Sequence, residues 1–330
     1  MSALSLSFAP RAALRSEFAP EWCALAVILA VDLVWMPAAG LRVAIGWQDG
    51  IVVAVALGAM MALRALAIRS GGLMAEYFAI TAVAATVFGV LSYLCTAHDA
   101  PLADGAFQKM DAALGFDWLS WFQIVHTNPL AAGAFRLCYD SLIYQGLYFG
   151  LLLALLDRRD DLKEMFWIVF VAGLFTSAGA YLWPAFGPFR EFGLDKYGDY
   201  IPVIEHLRSG RDLNFPLHAM TGVVSFPSFH TTMALAYVYG FRRTGAIGAG
   251  IAVLNIGMLL AIPVFGGHYL TDMIAGAAVL LVSLAIVKAS AATFGAMGKA
   301  RHTARHVTGR SGPQRAVPSA EGTSVLPAAD

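Results

Sequence analysis

The feature that most constrains this chain is a succession of long apolar runs separated by short polar breaks. By the rule that about 20 apolar residues cross a bilayer, eight spanning helices are expected. They lie near 21–39, 50–68, 74–95, 130–156, 163–183, 229–243, 246–265 and 268–288. The sixth is short for a full crossing. Such a chain reads as an all-α, polytopic membrane bundle, and scattered glycines allow its helices to pack closely. Composition agrees: 13% of residues are charged, where a soluble domain carries about a quarter. A formal net charge of zero argues against a nucleic-acid partner. Residues 1–20 carry Arg11, Arg15 and Glu17 and show no signal-peptide pattern.

Basic residues set the expected orientation. With a cytoplasmic N-terminus, fifteen lysines and arginines fall inside, among them Arg64, Arg69, Arg158, Arg159, Lys163, Arg242 and Arg243. Six fall outside: Arg42, Lys109, Arg190, Lys196, Arg208 and Arg211. The positive-inside bias favours this arrangement. It predicts a protein of the bacterial inner membrane with residues 225–272 opening to the periplasm or exterior.

Between the runs, 98–129 is too polar to span. Phe107, Met110 and Leu114 recur at helical spacing opposite Asp104, Lys109 and Asp111, which predicts one or two helices lying at the outer surface. The stretch Pro184 to Val224 is long for a connection and leads straight to His230, so it is expected to cover a site. The seven tryptophans fall near helix ends or outer loops, as an interfacial belt would. Cys23, Cys95 and Cys138 have no metal spacing and read as small hydrophobes. Residues 291–330, poor in large apolar side chains, are expected to be a disordered cytoplasmic tail.

Chemistry concentrates in one stretch. It opens with Ser225-Phe226-Pro227-Ser228-Phe229-His230 and closes with Gly266-Gly267-His268-Tyr269-Leu270-Thr271-Asp272. A helix out and a helix back bring His230 and His268 to the same side, each at the mouth of a helix. Helix N-termini suit a phosphate. One imidazole can attack phosphorus and another can protonate the leaving oxygen. Asp272, four residues after His268, can hold the attacking ring by its other nitrogen. Ser228 is a good N-cap.

Pro-Ser-Phe-His followed by Gly-His-Tyr-x-x-Asp resembles the last two signature motifs of the type 2 phosphatidic acid phosphatase superfamily. Within it, the chain is most similar to the branch of inositol phosphorylceramide synthases and their bacterial relatives. Gly115-Phe116-Asp117-Trp118, Trp183 to Pro188 and Leu207-Arg208-Ser209-Gly210 extend the likeness over roughly residues 100–290. The resemblance implies a six-helix core, placed at 74–290, with two additional helices within 21–73; the charge bias makes 1–20 a cytoplasmic segment. It makes His268 the nucleophile, Asp272 its orienting carboxylate, His230 the acid and then base, and Ser228 a phosphate ligand. The expected activity is a lipid phosphatase or phosphotransferase with a phosphohistidine intermediate, a lipid phosphate as substrate and no cofactor. The acceptor and the oligomeric state are left open.

This sequence departs from the superfamily's fullest pattern. The lysine-arginine motif is absent, and Ile262 stands where an arginine often precedes the second histidine. The phosphate-binding candidates are therefore Arg208, Arg136, Arg190 and Arg211. Arg136 is expected to pair with Asp140 and face the bundle interior. Zinc is the competing chemical reading, held by His230, His268 and Asp272 with His218 or His206. Two rival functions are a lipid transporter, with Asp32, Arg64, Arg136 and Asp140 lining a path, and a membrane protein without catalysis. For Asp32 and Arg64 a packing or hydration role is expected.

Overall fold

In the computed structural model the described residues are 16–65 and 69–309. The chain divides into two units, residues 1–287 and 288–330. In chain order the elements are α1 (Ala19–Ala39), β1 (Arg42–Ala44), α2 (Trp47–Ala65), α3 (Arg69–Thr96), α4 (Asp104–Ala113), α5 (Trp118–His126), α6 (Pro129–Leu155) and α7 (Arg159–Leu182). Then come α8 (Pro188–Glu191), a 3-10 turn (Asp195–Tyr197), α9 (Ile201–Ser209), β2 (Asn214–Pro216), a second 3-10 turn (Leu217–Ala219), α10 (Phe229–Phe241), α11 (Ala246–Phe265) and α12 (Leu270–Gly309). The all-α membrane-type bundle expected from the sequence is what forms.

Local signals place several helix ends. Asn128 caps α6, its Oδ1 accepting from the Leu130 and Ala131 amides at 3.1 Å each, and Pro129 supplies the first helical residue. Asp117 caps α5 through the Ser120 amide at 3.1 Å. Gly40 ends α1 in the left-handed conformation.

Among the described residues six helices are long and apolar enough to cross a membrane: α1, α3, α6, α7, α11 and the Leu270–Thr293 part of α12. Of the eight expected spans, one is shorter than a crossing needs. Helix α10 has 13 residues, about 20 Å at the usual rise, short of the ~30 Å of hydrocarbon. Helix α2 has 19 residues, and many of its side chains lie outside what is described. The expected disordered tail is corrected in part: 291–309 continue as α-helix through an alanine-rich stretch of good helix formers. Residues 310–330, like Arg11 and Arg15, lie outside the described residues.

Two apolar cores organise the first unit. One runs through the bundle, with Leu25, Tyr77, Ile80, Phe149, Leu153, Met165, Phe170, Tyr237 and Phe241. The other joins the end of α3 to the outer segments: Tyr93 and Leu94 pack with Trp118, Phe122, Phe186, Phe189, Ile201, Ile204 and Leu207. The Pro184–Val224 stretch is thus a folded cap built on its own apolar residues. A short parallel pairing of β1 with β2, Val43 opposite Phe215, ties it to the α1–α2 connection.

The outer helix α4 is turned differently from its expected amphipathic face. Phe107 is buried, but Met110 and Leu114 are 51% and 58% exposed while Asp111 is 3% exposed. The reason is polar: Asp111 is drawn to the start of α12, as described below. The tryptophans are also more than a belt. Trp118 Nε1 donates to the Pro263 carbonyl at 3.0 Å, Trp121 Nε1 to the Leu260 carbonyl at 3.1 Å, and Trp167 Nε1 to Glu21 at 2.9 Å. The first two fasten α5 to the last turns of α11, where the Pro263 carbonyl lacks a helical donor. Asp32 is buried on α1 and neither of its oxygens has a hydrogen-bond partner among the described residues. The Arg64 side chain lies outside what is described.

Candidate active site

The two motifs meet at the start of α10 and α12. Ser228 is fully buried and caps α10, its Oγ accepting from the Thr231 amide at 3.3 Å. Its own amide donates to the Asp272 carbonyl at 3.0 Å, and Thr232 Oγ1 donates to the Gly276 carbonyl at 2.8 Å. These bonds stitch the first turn of α10 to the first turns of α12. The His230 and His268 rings consequently face each other, with centroids 6.1 Å apart and planes inclined at 56°.

His268 precedes α12 rather than sitting on it, since the helix begins at Leu270. Asp272 lies in the first turn and reaches back. Its Oδ2 accepts from the Tyr269 amide at 2.9 Å, which is half of a capping box. The same oxygen is 3.4 Å from His268 Nδ1 and accepts from Ser225 Oγ at 3.4 Å. The carboxylate therefore orients the ring and closes the helix end together. Its other oxygen is buried without a hydrogen-bond partner among the described residues. Burial pushes His268, in the turn ahead of the span, down to about 4, opposed by a hydrogen bond to the Ser225 backbone. The ring is neutral near pH 7, with Nδ1 turned to the carboxylate and Nε2 left for chemistry.

The helix-mouth expectation needs one correction. The N-terminus of α12 is already occupied. Asp111 of α4 accepts from the Leu270 amide at 2.7 Å, the Thr271 amide at 2.8 Å and Thr271 Oγ1 at 2.6 Å. A carboxylate there satisfies the free N–H groups and the positive end of the helix, so an anion has no place. At α10, Ser228 meets the Thr231 amide, and among the described residues no acceptor meets the Phe229 and His230 amides. Of the two helices, α10 alone presents open N–H groups beside the histidine pair.

The Trp183–Pro188 segment forms a wall. Asp104 of α4 accepts from the Phe186 amide at 3.1 Å and the Gly187 amide at 2.7 Å, and from Tyr269 Oη at 3.3 Å. Gly187 and Gly267 both have positive φ, 89° and 61°. A Cβ on Gly187 would run into the Gly267 carbonyl, so the wall and the His268 turn touch backbone to backbone.

The arginines do not converge on the histidines. Arg208 donates to the His98 carbonyl at 3.1 Å and the Ala100 carbonyl at 2.8 Å, pinning the end of α3 to α9. Arg190 pairs with Asp195 at 2.9 Å and Glu205 at 2.7 Å. Arg211 is exposed. Arg136 pairs with Asp140 at 2.7 Å as expected, but the two side chains are 59% and 45% exposed rather than turned inward. Arg136 lies over Phe265 at 5.6 Å, which is 6.2 Å from Tyr139. Ring contacts thus run from Arg136 through Phe265 and Tyr139 to His230.

Sequence reasoning missed Tyr139, whose ring stacks on His230 at 4.7 Å and 12°. It also missed Ser225, Asp104 and Asp111. Ser225 sits three residues before Ser228 in the same motif and was open to notice; nothing local marks the other three. The extra zinc ligands stand apart: His206 bonds the Asp212 carbonyl at 3.0 Å, and His218 lies 3.8 Å from Asp49. Among the described residues no three His, Cys, Asp or Glu side chains are grouped to hold a metal ion.

No curated protein and no solved structure matches the chain. A family model described as the PAP2 superfamily matches residues 105–286. That span is more than half of the chain and runs from α4 through both histidine motifs. The chain belongs to the PAP2 superfamily.

Proposed function

We propose that this protein is a metal-independent lipid phosphatase or phosphotransferase working through a phosphohistidine at the outer face of the membrane. Family membership supports phosphoric ester hydrolysis in general. The observation that carries the finer reading is the opposed pair His230 and His268, 6.1 Å apart, with Asp272 on the far nitrogen of His268. In the first step Nε2 of His268 bonds to phosphorus as the ester P–O bond breaks, and His230 gives its proton to the departing alkoxide. In the second step His230 takes a proton from the acceptor, which attacks phosphorus and releases His268. Water makes the protein a phosphatase; an alcohol, such as the inositol hydroxyl used by the branch it resembles, makes it a transferase.

Phosphoryl oxygens are received by the Phe229 and His230 amides, which Ser228 holds in place, and Arg136, over Phe265, supplies a cation. Arg208 and Arg190 act at a distance by holding the cap together, and Arg211 by its charge alone. The basic-residue asymmetry supports an active site on the periplasmic or exterior side of a bacterial inner membrane. The test is purified protein against a panel of lipid phosphates, with and without alcohol acceptors and in strong chelator, following free phosphate and new phosphodiester. Turnover that persists in chelator and disappears in His268→Ala is expected. Turnover lost to chelator and restored by zinc, or undiminished in His268→Ala, contradicts the proposal.

A further inference from the structure

A phosphoryl group between these histidines needs donors to its non-bridging oxygens. The guanidiniums of Arg136, Arg190 and Arg208 each hold other partners, and the surroundings are acidic, with Asp104, Asp111 and Asp272 all bonded into the same walls. Two phenols nonetheless converge on the turn before His268. Tyr139 comes from α6, its ring flat against His230 at 4.7 Å. Its hydroxyl reaches toward the other histidine: a Cβ placed on Gly266 would lie 3.2 Å from Tyr139 Oη and 2.8 Å from His268 Cδ2. Tyr200 comes from the cap on the opposite side, its Oη 3.4 Å from the Gly267 carbonyl. Burial, with Tyr139, Asp272 and Asp104 nearby, pushes the Tyr200 phenol upward, so it remains a proton donor.

Tyr139 is thus tied to both histidines, by its face to one and by its hydroxyl to the turn that carries the other. Among the described residues that hydroxyl has no hydrogen-bond partner. An aromatic residue present only for packing gains nothing from a free hydroxyl at that point. We propose that Tyr139 is a further catalytic residue, its hydroxyl donating to a non-bridging phosphoryl oxygen. This rests on the phosphoryl-transfer reading of the site. Through the step, the P–N bond to His268 forms, the P–O bond to the leaving alkoxide breaks, and the alkoxide takes its proton from His230. Tyr139 keeps its own proton throughout; its hydrogen bond tightens as charge gathers on the equatorial oxygens.

The experiment compares wild type with Tyr139→Phe, which keeps the ring on His230 and removes the hydroxyl alone. Phosphate release from a lipid phosphate gives kcat and KM, and orthovanadate binding reports on the five-coordinate geometry. Loss of one such donor is expected to lower kcat roughly a hundredfold. KM should stay within about threefold, because the bond strengthens only in the transition state. Vanadate should bind more weakly by a factor similar to the fall in kcat, and the melting temperature should hold. A structural role would move the melting temperature without separating kcat from KM. If Tyr139→Phe keeps both kcat and vanadate affinity, the tyrosine proposal alone is overturned. If the wild type neither releases phosphate nor binds vanadate, the reading of the whole site falls and this proposal with it.

Discussion

At the scale of single residues, the site turns on how one carboxylate divides its attention. Asp272 Oδ2 faces the Tyr269 amide, Ser225 Oγ and His268 Nδ1 within 3.4 Å. Its charge therefore fixes a tautomer and also finishes a helix. Asn in its place keeps a carbonyl for the amide but offers either the wrong hydrogen pattern or no charge to the ring. Asp272→Asn is expected to lower kcat by about 10²–10⁴-fold, as when an orienting acid is neutralised beside a catalytic histidine, while the protein stays folded. Initial rates of phosphate release, with circular dichroism as the control for folding, measure this. An Asp272→Asn protein with wild-type rate removes the orienting role. Pairing of His268 with Asp272 was readable from the spacing alone. Tyr139 was not, because the contact joins residues 91 positions apart, on α6 and α10, and depends on which face α6 turns inward.

At the scale of elements, α4 matters more than its length suggests. It was legible as an outer amphipathic helix, but the rule that charges face water assigned its faces wrongly. Asp111 is drawn inward because the start of α12 offers two amides and a hydroxyl, all three of which it accepts. Asp104 does the same for the Phe186–Gly187 wall. Three charge-assisted bonds, two of them buried, outweigh the exposure of Met110 and Leu114. Asp111→Ala leaves those donors unsatisfied and is expected to destabilise the protein by about 1–3 kcal/mol. Since the start of α12 is where Asp272 meets His268, activity should fall too, and Asp111→Asn should lie between. Thermal unfolding in detergent beside phosphate release gives both numbers; an unchanged melting temperature in Asp111→Ala excludes the capping role. The cap between α7 and α10 was anticipated only as a covering loop. Its fold rests on long-range packing of Phe186, Phe189, Ile201 and Leu207 against α3 and α5, which no local pattern announces.

At the scale of the molecule, apolar run length gave the bundle class directly, and most helix ends fell within a few residues of their expected positions. It counted as a span a helix that is apolar but short, as α10 is. The up-and-down order still returns both histidine motifs to one end of the bundle. Reporter fusions after Arg159 and after Lys196 are expected to read cytoplasmic and periplasmic respectively; the reverse would turn the site to the wrong side of the membrane. The most direct measurement is rapid acid-free quenching of the enzyme during turnover of a lipid carrying labelled phosphate, followed by mapping of the labelled peptide. An alkali-stable, acid-labile phosphoryl group on His268, absent in His268→Ala, is the predicted result. Steady phosphate release with no label on the protein, or label on a residue other than His268, contradicts it.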